Sequence, residues 1–392
     1  MPFSSFSALY IQTRGCHILR SSTRNLRRVG IRTMTSLTNN DKNKNNKVII
    51  DTDAGVDDAQ ALMIALTQHR LEKINVIGIT TVTGNVKLQR VIQNVARVQH
   101  TMNTNVPIFK GADFPILGRS GVNASYWHGT DGLGDSGFEN IGTEESICFQ
   151  DEVSGNNASN PGGKNNQSAS SAAVNISKLV RKYPGEVSIV AIGPLTNIAL
   201  AILLDPEFPK FVKEFWWMGG SRTSGNITRT AEFNAYGDPE ALSLCLSHFS
   251  RINCVDWQAT LDHGLDFNFI ENLFNDTDNT TNGKFMKKIS SKLLAQSKSS
   301  QYKHFGFLIP DPLCMIAYCF RDSIIEYVDS HVVCETKGEN TRGTTIFLDS
   351  DGIKSEEDGT PMTYDGEKCN VRFYTKVKLD VIEKAFKFVC SL

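Results

Sequence analysis

The chain has 392 residues, of which 40% are hydrophobic, 9% aromatic and 21% charged. This composition is typical of a globular protein and excludes a wholly disordered or collagen-like chain. Its 41 basic and 42 acidic residues give a net charge of −1, which argues against a nucleic-acid partner held by charge. No apolar run approaches the ~18 to 20 residues of a membrane-spanning helix, so we expect no membrane partner either.

The first 40 residues differ in charge from the rest of the chain. They contain six arginines, no lysine and no acidic residue, and they are rich in serine and threonine. This composition is typical of an organelle transit peptide, and a disordered tail is the alternative. We therefore interpret residues 1–46 as a disordered or transit-peptide-like extension. We expect a cytoplasmic protein, with the mitochondrion as the alternative compartment.

Strands and helices alternate from residue 47 onwards. The spacing of apolar residues predicts strands at 48–50, 76–82, 106–110, 187–193 and 214–220, with helices between them, such as those at 88–102 and 172–183. A closing strand and helix are expected at about 377–389. Residues 153–171 are of low complexity and predict a surface insertion, and 275–283 predict a second loop insertion. The alternation predicts a single Rossmann-like α/β domain over 47–392, with a mostly parallel central sheet flanked by helices.

Four aspartates follow the first predicted strand within the sequence VIIDTDAGVDDA, namely Asp51, Asp53, Asp57 and Asp58. Ligands bind beyond the carboxyl ends of strands in parallel sheets, so this position itself indicates a site. Gly55 permits the tight turn that brings the later pair back towards the earlier one. Clustered carboxylates repel one another unless a cation neutralises them. A set of hard oxygen ligands favours calcium or magnesium over zinc.

The residues alone leave two kinds of enzyme open. A strand that ends in D-x-D is found in phosphatases of the haloacid-dehalogenase type, with Asp51 as nucleophile and magnesium as cofactor. That pattern needs threonine or valine where Gly55 stands, and it gives Asp57 and Asp58 no role. The other possibility is a hydrolase in which an aspartate and a metal ion activate water.

Later motifs distinguish between these possibilities. DTDAGVDDAQAL is followed in order by TTVTGN, AIGPLTNIA, WMGG, AEFN, DPEA and a late DP. Over about residues 48–389 this series resembles the nucleoside hydrolases of the inosine–uridine preferring type. The resemblance implies an enzyme that hydrolyses the N-glycosidic bond of ribonucleosides to ribose and free base. It also implies a homodimer or homotetramer.

The resemblance further implies a calcium site and a catalytic base. The carboxylates of Asp53, Asp58 and Asp311 and the backbone carbonyl of Ile192 are the implied Ca²⁺ ligands. Asp53 is also the implied base, which takes a proton from calcium-bound water. Attack at C1′ then passes through an oxocarbenium-like transition state.

Other positions match the substrate contacts of the family. The implied contacts to the ribose 2′- and 3′-hydroxyls, together with Asp311, are Asp57, Asn85 and Asn234. Asn226 and Glu232 match the pair that binds the 5′-hydroxyl, and Met218 lines the sugar. His128, in the sequence WHGTDGLG, matches a lid over the base.

One position departs from the family pattern. Many members carry a histidine directly before the late aspartate, where it is credited with protonating a purine leaving group. Here that residue is Pro310, which has no proton to donate. Tyr302 and His304 lie nearby in the sequence. A catalytically weak nucleoside- or ribose-binding protein is therefore the alternative function.

Overall fold

The structure is a computed structural model that describes residues 46–118, 122–148, 171–348 and 369–392. The predicted N-terminal extension, except for residue 46, and the predicted insertion at 153–171, except for Ser171, lie outside the described residues. Both therefore stay predictions. No helix in the described part of the chain is long and apolar enough to cross a bilayer.

An eight-stranded sheet forms the centre of the molecule, in the order β3-β2-β1-β4-β5-β6-β10-β7. All neighbours are parallel except β10 and β7, which pair antiparallel at one edge. Strands β8 and β9 form a separate antiparallel pair. The strands are β1 (Lys47–Thr52), β2 (Asn75–Thr81), β3 (Ile108–Lys110), β4 (Val187–Ala191), β5 (Glu214–Met218), β6 (Ile252–Val255), β7 (Ile324–Ser330), β8 (Val332–Cys334), β9 (Thr345–Phe347) and β10 (Val371–Val377).

Helices cover both faces of the sheet. They are α1 (Val56–Arg70), α2 (Leu88–Met102), α3 (Ser125–His128), α4 (Glu144–Ile147), α5 (Ala172–Lys182), α6 (Thr196–Leu204), α7 (Phe233–Gly237), α8 (Pro239–His248), α9 (Trp257–Asp262), α10 (Phe267–Asp276), α11 (Thr281–Ser299), α12 (Pro310–Cys319) and α13 (Leu379–Cys390). Alternate residues of β1 enter opposite cores: Val48 and Ile50 pack with α1, α2 and α12, and Ile49 packs with α5, α6 and α8. The predicted α/β domain with a mostly parallel sheet is confirmed.

The predicted loop insertion at 275–283 is wrong. Helix α10 continues to Asp276 and α11 begins at Thr281, so only a short turn separates the two helices. The hydroxyl of Thr280 accepts a hydrogen bond from the Gly283 N–H at 2.8 Å and caps α11. The prediction gave weight to the asparagine and glycine content, whereas this cap and the buried side chain of Phe285 begin a helix here.

Candidate active site

The carboxyl ends of the central strands bring distant parts of the chain together. Asp53 follows β1, Asn85 follows β2, Ile192 follows β4 and Met218 ends β5. These strands are neighbours in the sheet, so the four residues converge at one edge, as expected for a ligand site in a parallel sheet.

A strained turn joins β1 to α1. Ala54 has φ +39°, a left-handed conformation that costs a residue with a side chain about 1–2 kcal/mol. Asp58 stabilises the turn: its Oδ2 accepts from the Gly55 N–H at 2.8 Å, and its Oδ1 accepts from the Thr52 hydroxyl at 2.6 Å. The turn therefore aims several carboxylates at one point.

Three carboxylates lie close enough to share a cation. Asp57, Asp58 and Asp311 each present one oxygen within 4.8 Å of the others, and all three are buried. Burial and then the charges of Asp57, Asp58 and Asp53 raise the pKa of Asp311 well above its usual range. Burial and then the charge of Asp58 do the same to the pKa of Asp53. Such a group is unfavourable as four free anions, and a bound cation would offset the repulsion.

The surroundings of Asp53 fit a hard cation. Its Oδ2 accepts from the Asn85 N–H at 2.7 Å, whereas its Oδ1 is buried with no hydrogen-bond partner among the described residues. A Cβ on Gly84 would lie 2.1 Å from Oδ2, and one on Gly193 would lie 3.0 Å from Oδ1. The two glycines thus let two loops close around this carboxylate. A buried oxygen without a donor, next to other carboxylates, is the ligand type that Ca²⁺ prefers.

A cavity of about 260 Å³ opens beside the carboxylates. The structure brings together around it most of the residues singled out in the sequence, while Asp53 and Asp58 are fully buried next to this group. Those that line it are Asp57, Asn85, His128, Ile192, Met218, Asn226, Glu232, Asn234, Pro310 and Asp311.

Glu232 is buried and caps the N-terminus of helix α7. Its Oε1 accepts from the Asn234 N–H at 2.9 Å, and its Oε2 accepts from the N–H groups of Gly220 and Ala235 at 2.8 and 3.1 Å. Burial raises the pKa of Glu232 to about 7 despite these bonds. The side-chain nitrogen of Asn234 donates to the carbonyl oxygens of Met218 and Ile192 at 3.0 and 3.3 Å.

His128 is a buried, neutral imidazole. Its Nδ1 accepts from the Val56 N–H at 3.2 Å and lies 3.6 Å from Oδ1 of Asp57. Burial lowers the pKa of His128 to about 4, against the charge of Asp58, which raises it. Because Nδ1 is an acceptor, the proton is assigned to Nε2. His128 can therefore donate a hydrogen bond, but near neutral pH it is not an imidazolium acid.

Aromatic side chains form the remaining wall of the cavity. The rings of Trp257 and Tyr302 meet edge to face, with centroids 5.4 Å apart. Trp257 was not predicted from the sequence as a site residue. The same holds for other residues that line this cavity, namely Ala124, Tyr126, Trp127, Phe233, Ser300 and Gln301. The sequence offered a signal for Trp127, which precedes His128, and for Phe233, which lies between Glu232 and Asn234. The described residues around the cavity do not include His304, whose ring packs against Phe305.

Comparison with known proteins identifies the family. The model of the inosine-uridine preferring nucleoside hydrolases matches residues 48–384. Uridine nucleosidase 1 of Arabidopsis thaliana is 33% identical over 299 residues, which are 75% of this chain and 80% of that protein. The non-specific ribonucleoside hydrolase RihC of Salmonella typhi is 32% identical over 299 residues, which are 76% of this chain and 86% of that protein.

Solved structures agree with this assignment. An inosine-guanosine nucleoside hydrolase has a TM-score of 0.73 and 28% identity, covering 88% of this chain and 98% of its own. A plant nucleoside hydrolase has a TM-score of 0.71 and 26% identity, covering 88% and 99%.

Fold and site together define a protein with a mostly parallel, helix-covered sheet and a carboxylate-lined cavity at the carboxyl ends of its central strands. The chain belongs to the inosine-uridine preferring nucleoside hydrolase family, and the resemblance noted in the sequence is confirmed. It is an enzyme that hydrolyses ribonucleosides to ribose and free base.

Proposed function

We propose that this nucleoside hydrolase uses Asp53 as its general base and Ca²⁺ as its cofactor. The observation that carries the proposal is the buried Oδ1 of Asp53, which has no hydrogen-bond partner among the described residues. The other oxygen of Asp53 accepts from the N–H of Asn85, a residue that lines the cavity. The carboxylates of Asp53, Asp58 and Asp311 and the carbonyl of Ile192 would hold the ion. Of these, Asp58 and Asp311 present oxygens within 4.8 Å of each other and of an oxygen of Asp57. When bound, Ca²⁺ supplies positive charge that lowers the pKa of the attacking water.

The residues of the chain then act on water and sugar. Asp53 takes a proton from the water molecule while the oxygen of that water forms a bond to C1′. The C1′–N bond breaks, its electron pair leaves with the base, and nearby carboxylates stabilise the positive charge that develops on the sugar. The products are ribose and the base, which must gain one proton.

Polar groups around the cavity would hold the ribose. Asp57, Asn85 and Asn234 face the position of the 2′- and 3′-hydroxyls in this assignment, with Asp311 beside them. The nitrogen of Asn234 is already bonded to two carbonyls, which leaves its oxygen to accept from a hydroxyl. Asn226 and Glu232 would contact the 5′-hydroxyl, and Met218 would line the sugar.

The base would lie towards the aromatic wall. Trp257 and Tyr302 offer apolar faces on one side, and His128 offers an Nε2–H donor on the other. Pro310 offers no donor. We therefore infer that the aromatic rings of Trp257 and Tyr302 provide most of the contact with the base. The pocket then gives little general-acid assistance when the base leaves.

The test of this function is an assay of the purified protein with Ca²⁺ against inosine, uridine, adenosine and cytidine. Base and reducing sugar should be released in equal amounts. Tight nucleoside binding without turnover would instead support the alternative of a binding protein that lost its acid at position 310.

Removing a carboxylate from the cluster should remove the metal ion. We predict that Asp58→Ala and Asp311→Ala each lose bound Ca²⁺, because each deletes a hard oxygen ligand from a small set. Metal analysis after equilibrium dialysis measures this, with circular dichroism to establish folding. Asp238→Ala is the matched control, since Asp238 is also a buried helix cap but bonds to Thr196 and Ile116 instead of the cluster. Full Ca²⁺ occupancy in the folded Ala variants would contradict the assignment.

The ionisation of Glu232 should affect substrate binding near neutral pH. Because burial raises its pKa to about 7, Glu232 is mostly protonated below that pH and ionised above it. A carboxylate accepts a hydrogen bond from the 5′-hydroxyl better than a carboxylic acid does, so KM for uridine should fall as pH rises through 7. Profiles of KM with uridine and 5′-deoxyuridine measure the effect, which should be absent for the deoxy substrate and for Glu232→Gln. The same change with 5′-deoxyuridine would assign the titration to another group.

We also infer a cytoplasmic homo-oligomer, a dimer or a tetramer, with import into mitochondria as the alternative to the cytoplasm. Cys245, Cys254 and Cys314 are buried free thiols, which is consistent with a reducing compartment. Light scattering coupled to size exclusion would determine the oligomeric state. Imaging of a protein tagged at its C-terminus would determine the compartment.

A further inference from the structure

The side chain of Asn94 connects two parts of the site without lining the cavity. Asn94 lies in the middle of α2 and is buried. Its amide nitrogen donates to the backbone carbonyl of Ala54 at 2.9 Å and to that of Asp131 at 2.9 Å. Both N–H groups of one amide are thus used, and each holds a different loop.

The first acceptor belongs to the carboxylate turn. Ala54 lies directly between Asp53 and Gly55, and its left-handed conformation, with φ +39°, is unfavourable for alanine. A hydrogen bond to its carbonyl fixes the orientation of the peptide that follows. Asn94 therefore helps to hold both sides of the turn. Asp53 lies on one side, and the start of α1, which carries Asp57 and Asp58, lies on the other.

The second acceptor belongs to the segment that follows His128. Within this segment Oδ1 of Asp131 accepts from the N–H groups of Leu133 and Asp135 at 2.8 and 2.9 Å, and the Gly134 N–H donates to the His128 carbonyl at 2.7 Å. The segment is therefore a compact unit. The bond from Asn94 to the Asp131 carbonyl fixes this unit, and with it His128, relative to α2.

The packing of Gly132 shows that the approach to Asn94 is close. Gly132 has φ +79°, and a Cβ at this position would lie 2.6 Å from the side-chain nitrogen of Asn94. Any larger residue would push the segment away from the amide. The glycine and the asparagine are thus complementary, which a chance surface contact would not require.

We propose that Asn94 is a positioning residue that sets the distance between the carboxylate turn and His128. It does not touch the cavity, and it acts through the two backbones that it holds. The inference deepens the proposed function, because it depends on Asp53 and His128 acting on the same substrate. An aspartate at position 94 has nearly the same shape but, when ionised, donates no hydrogen bond and repels both carbonyls.

Gln99 provides a matched control on the same helix. It is equally buried, at 5% exposure, and its amide bonds to the backbone of Val106 through both its nitrogen, at 2.9 Å, and its oxygen, at 2.6 Å. These bonds close a loop that does not line the cavity. Asn94→Asp and Gln99→Glu are therefore the same chemical change, and only the first should disturb the site.

The experiment compares kcat, KM and Tm for uridine hydrolysis by the parent, Asn94→Asp and Gln99→Glu. Since a displacement of about 1 Å can reduce a rate about 10²-fold, we expect kcat of Asn94→Asp to fall by about that factor. Gln99→Glu should lower Tm by a similar amount and leave kcat near the parental value. Equal effects of the two changes on kcat, or a parental kcat in folded Asn94→Asp, would overturn the proposal.

Hydrogen exchange provides a second readout that does not depend on activity. Amides of residues 130–135 should exchange faster in Asn94→Asp than in Gln99→Glu, because only the first releases the Asp131 carbonyl. Unchanged exchange there would overturn the proposal even if the catalytic base has been assigned wrongly. If Asn94→Asp does not fold, Asn94→Ser removes both bonds with less repulsion, and the same comparisons apply to it.

Discussion

Asp53→Asn is expected to reduce kcat by at least about 10² to 10⁴, the usual contribution of a general base. Asparagine keeps the shape of the side chain and an oxygen that can bind a cation, but it cannot accept the proton of the attacking water. Stopped-flow or discontinuous measurement of ribose release under saturating substrate and Ca²⁺ gives kcat directly.

The geometry favours Asp53 over Asp58 as the base. Both oxygens of Asp58 already accept hydrogen bonds, from Thr52, Gly55 and the side chain of Asn85. Asp53 instead keeps one buried oxygen with no partner among the described residues. A base needs such a free lone pair, so the roles of the two carboxylates should differ although both are buried.

Calcium affinity separates loss of the base from loss of the metal. If Asp53→Asn retains Ca²⁺ and loses turnover, proton transfer is what the substitution removed. If the variant loses both Ca²⁺ and turnover, the charge of the carboxylate is needed to bind the ion. The fall in kcat should then be larger than the fall expected from loss of the general base only. The matched control is Asp238→Asn, the same change at a buried aspartate that bonds to Thr196 instead of the cluster. A folded Asp53→Asn enzyme with near-parental turnover would show that another group is the base.

Much of the fold follows from local patterns in the sequence. Helix α2 has the predicted bounds, and the predicted strand at 76–82 differs from β2 by one residue at each end. Strands made of continuous apolar residues are buried on both faces of a parallel sheet. Their alternation with helices along the chain therefore predicts the α/β architecture. The convergence of Asp53, Asn85 and Ile192 could be predicted for the same reason, because parallel strands end at one edge.

The base-binding wall could not be predicted in this way. Trp257, Ser300 and Gln301 reach the cavity from the start of α9 and the end of α11, and no periodicity links these segments to the first strand. A tryptophan after a strand is equally typical of the core. Asn94 was missed because a polar residue within an amphipathic helix indicates a solvated position, whereas here two backbone carbonyls from distant loops surround it.

The grouping of the carboxylates shows a further limit. The family resemblance placed Asp53, Asp58 and Asp311 around one ion, whereas the three mutually close oxygens in the structure belong to Asp57, Asp58 and Asp311. Which of two nearby aspartates directs an oxygen to a point depends on side-chain torsions within one turn. Strand and helix patterns carry no information on that angle.

The value of kcat/KM should depend strongly on whether the leaving group can depart without being protonated. We expect p-nitrophenyl riboside, whose phenolate leaves without protonation, to be cleaved much faster than inosine, by about 10² to 10⁴ if general-acid help is what the enzyme lacks. Pro310 begins α12 at the position of the usual acid, and the low pKa of His128, about 4, keeps its ring neutral. Comparison of kcat/KM for the two substrates on the parent enzyme measures the dependence.

Two variants trace the source of any proton that the base does receive. His128→Gln and Tyr302→Phe remove the donors nearest the base in the proposed binding mode, and each should leave p-nitrophenyl riboside cleavage largely unchanged. Equal and high kcat/KM for both substrates in the parent would show that a donor exists, and the variant that then loses inosine cleavage alone would identify it.

Pro310→His should fold, since proline at the first position of a helix donates no intrahelical bond that histidine must replace. By itself this substitution should not restore purine cleavage, because the new imidazole can act as an acid only when neighbouring residues orient it towards the departing nitrogen.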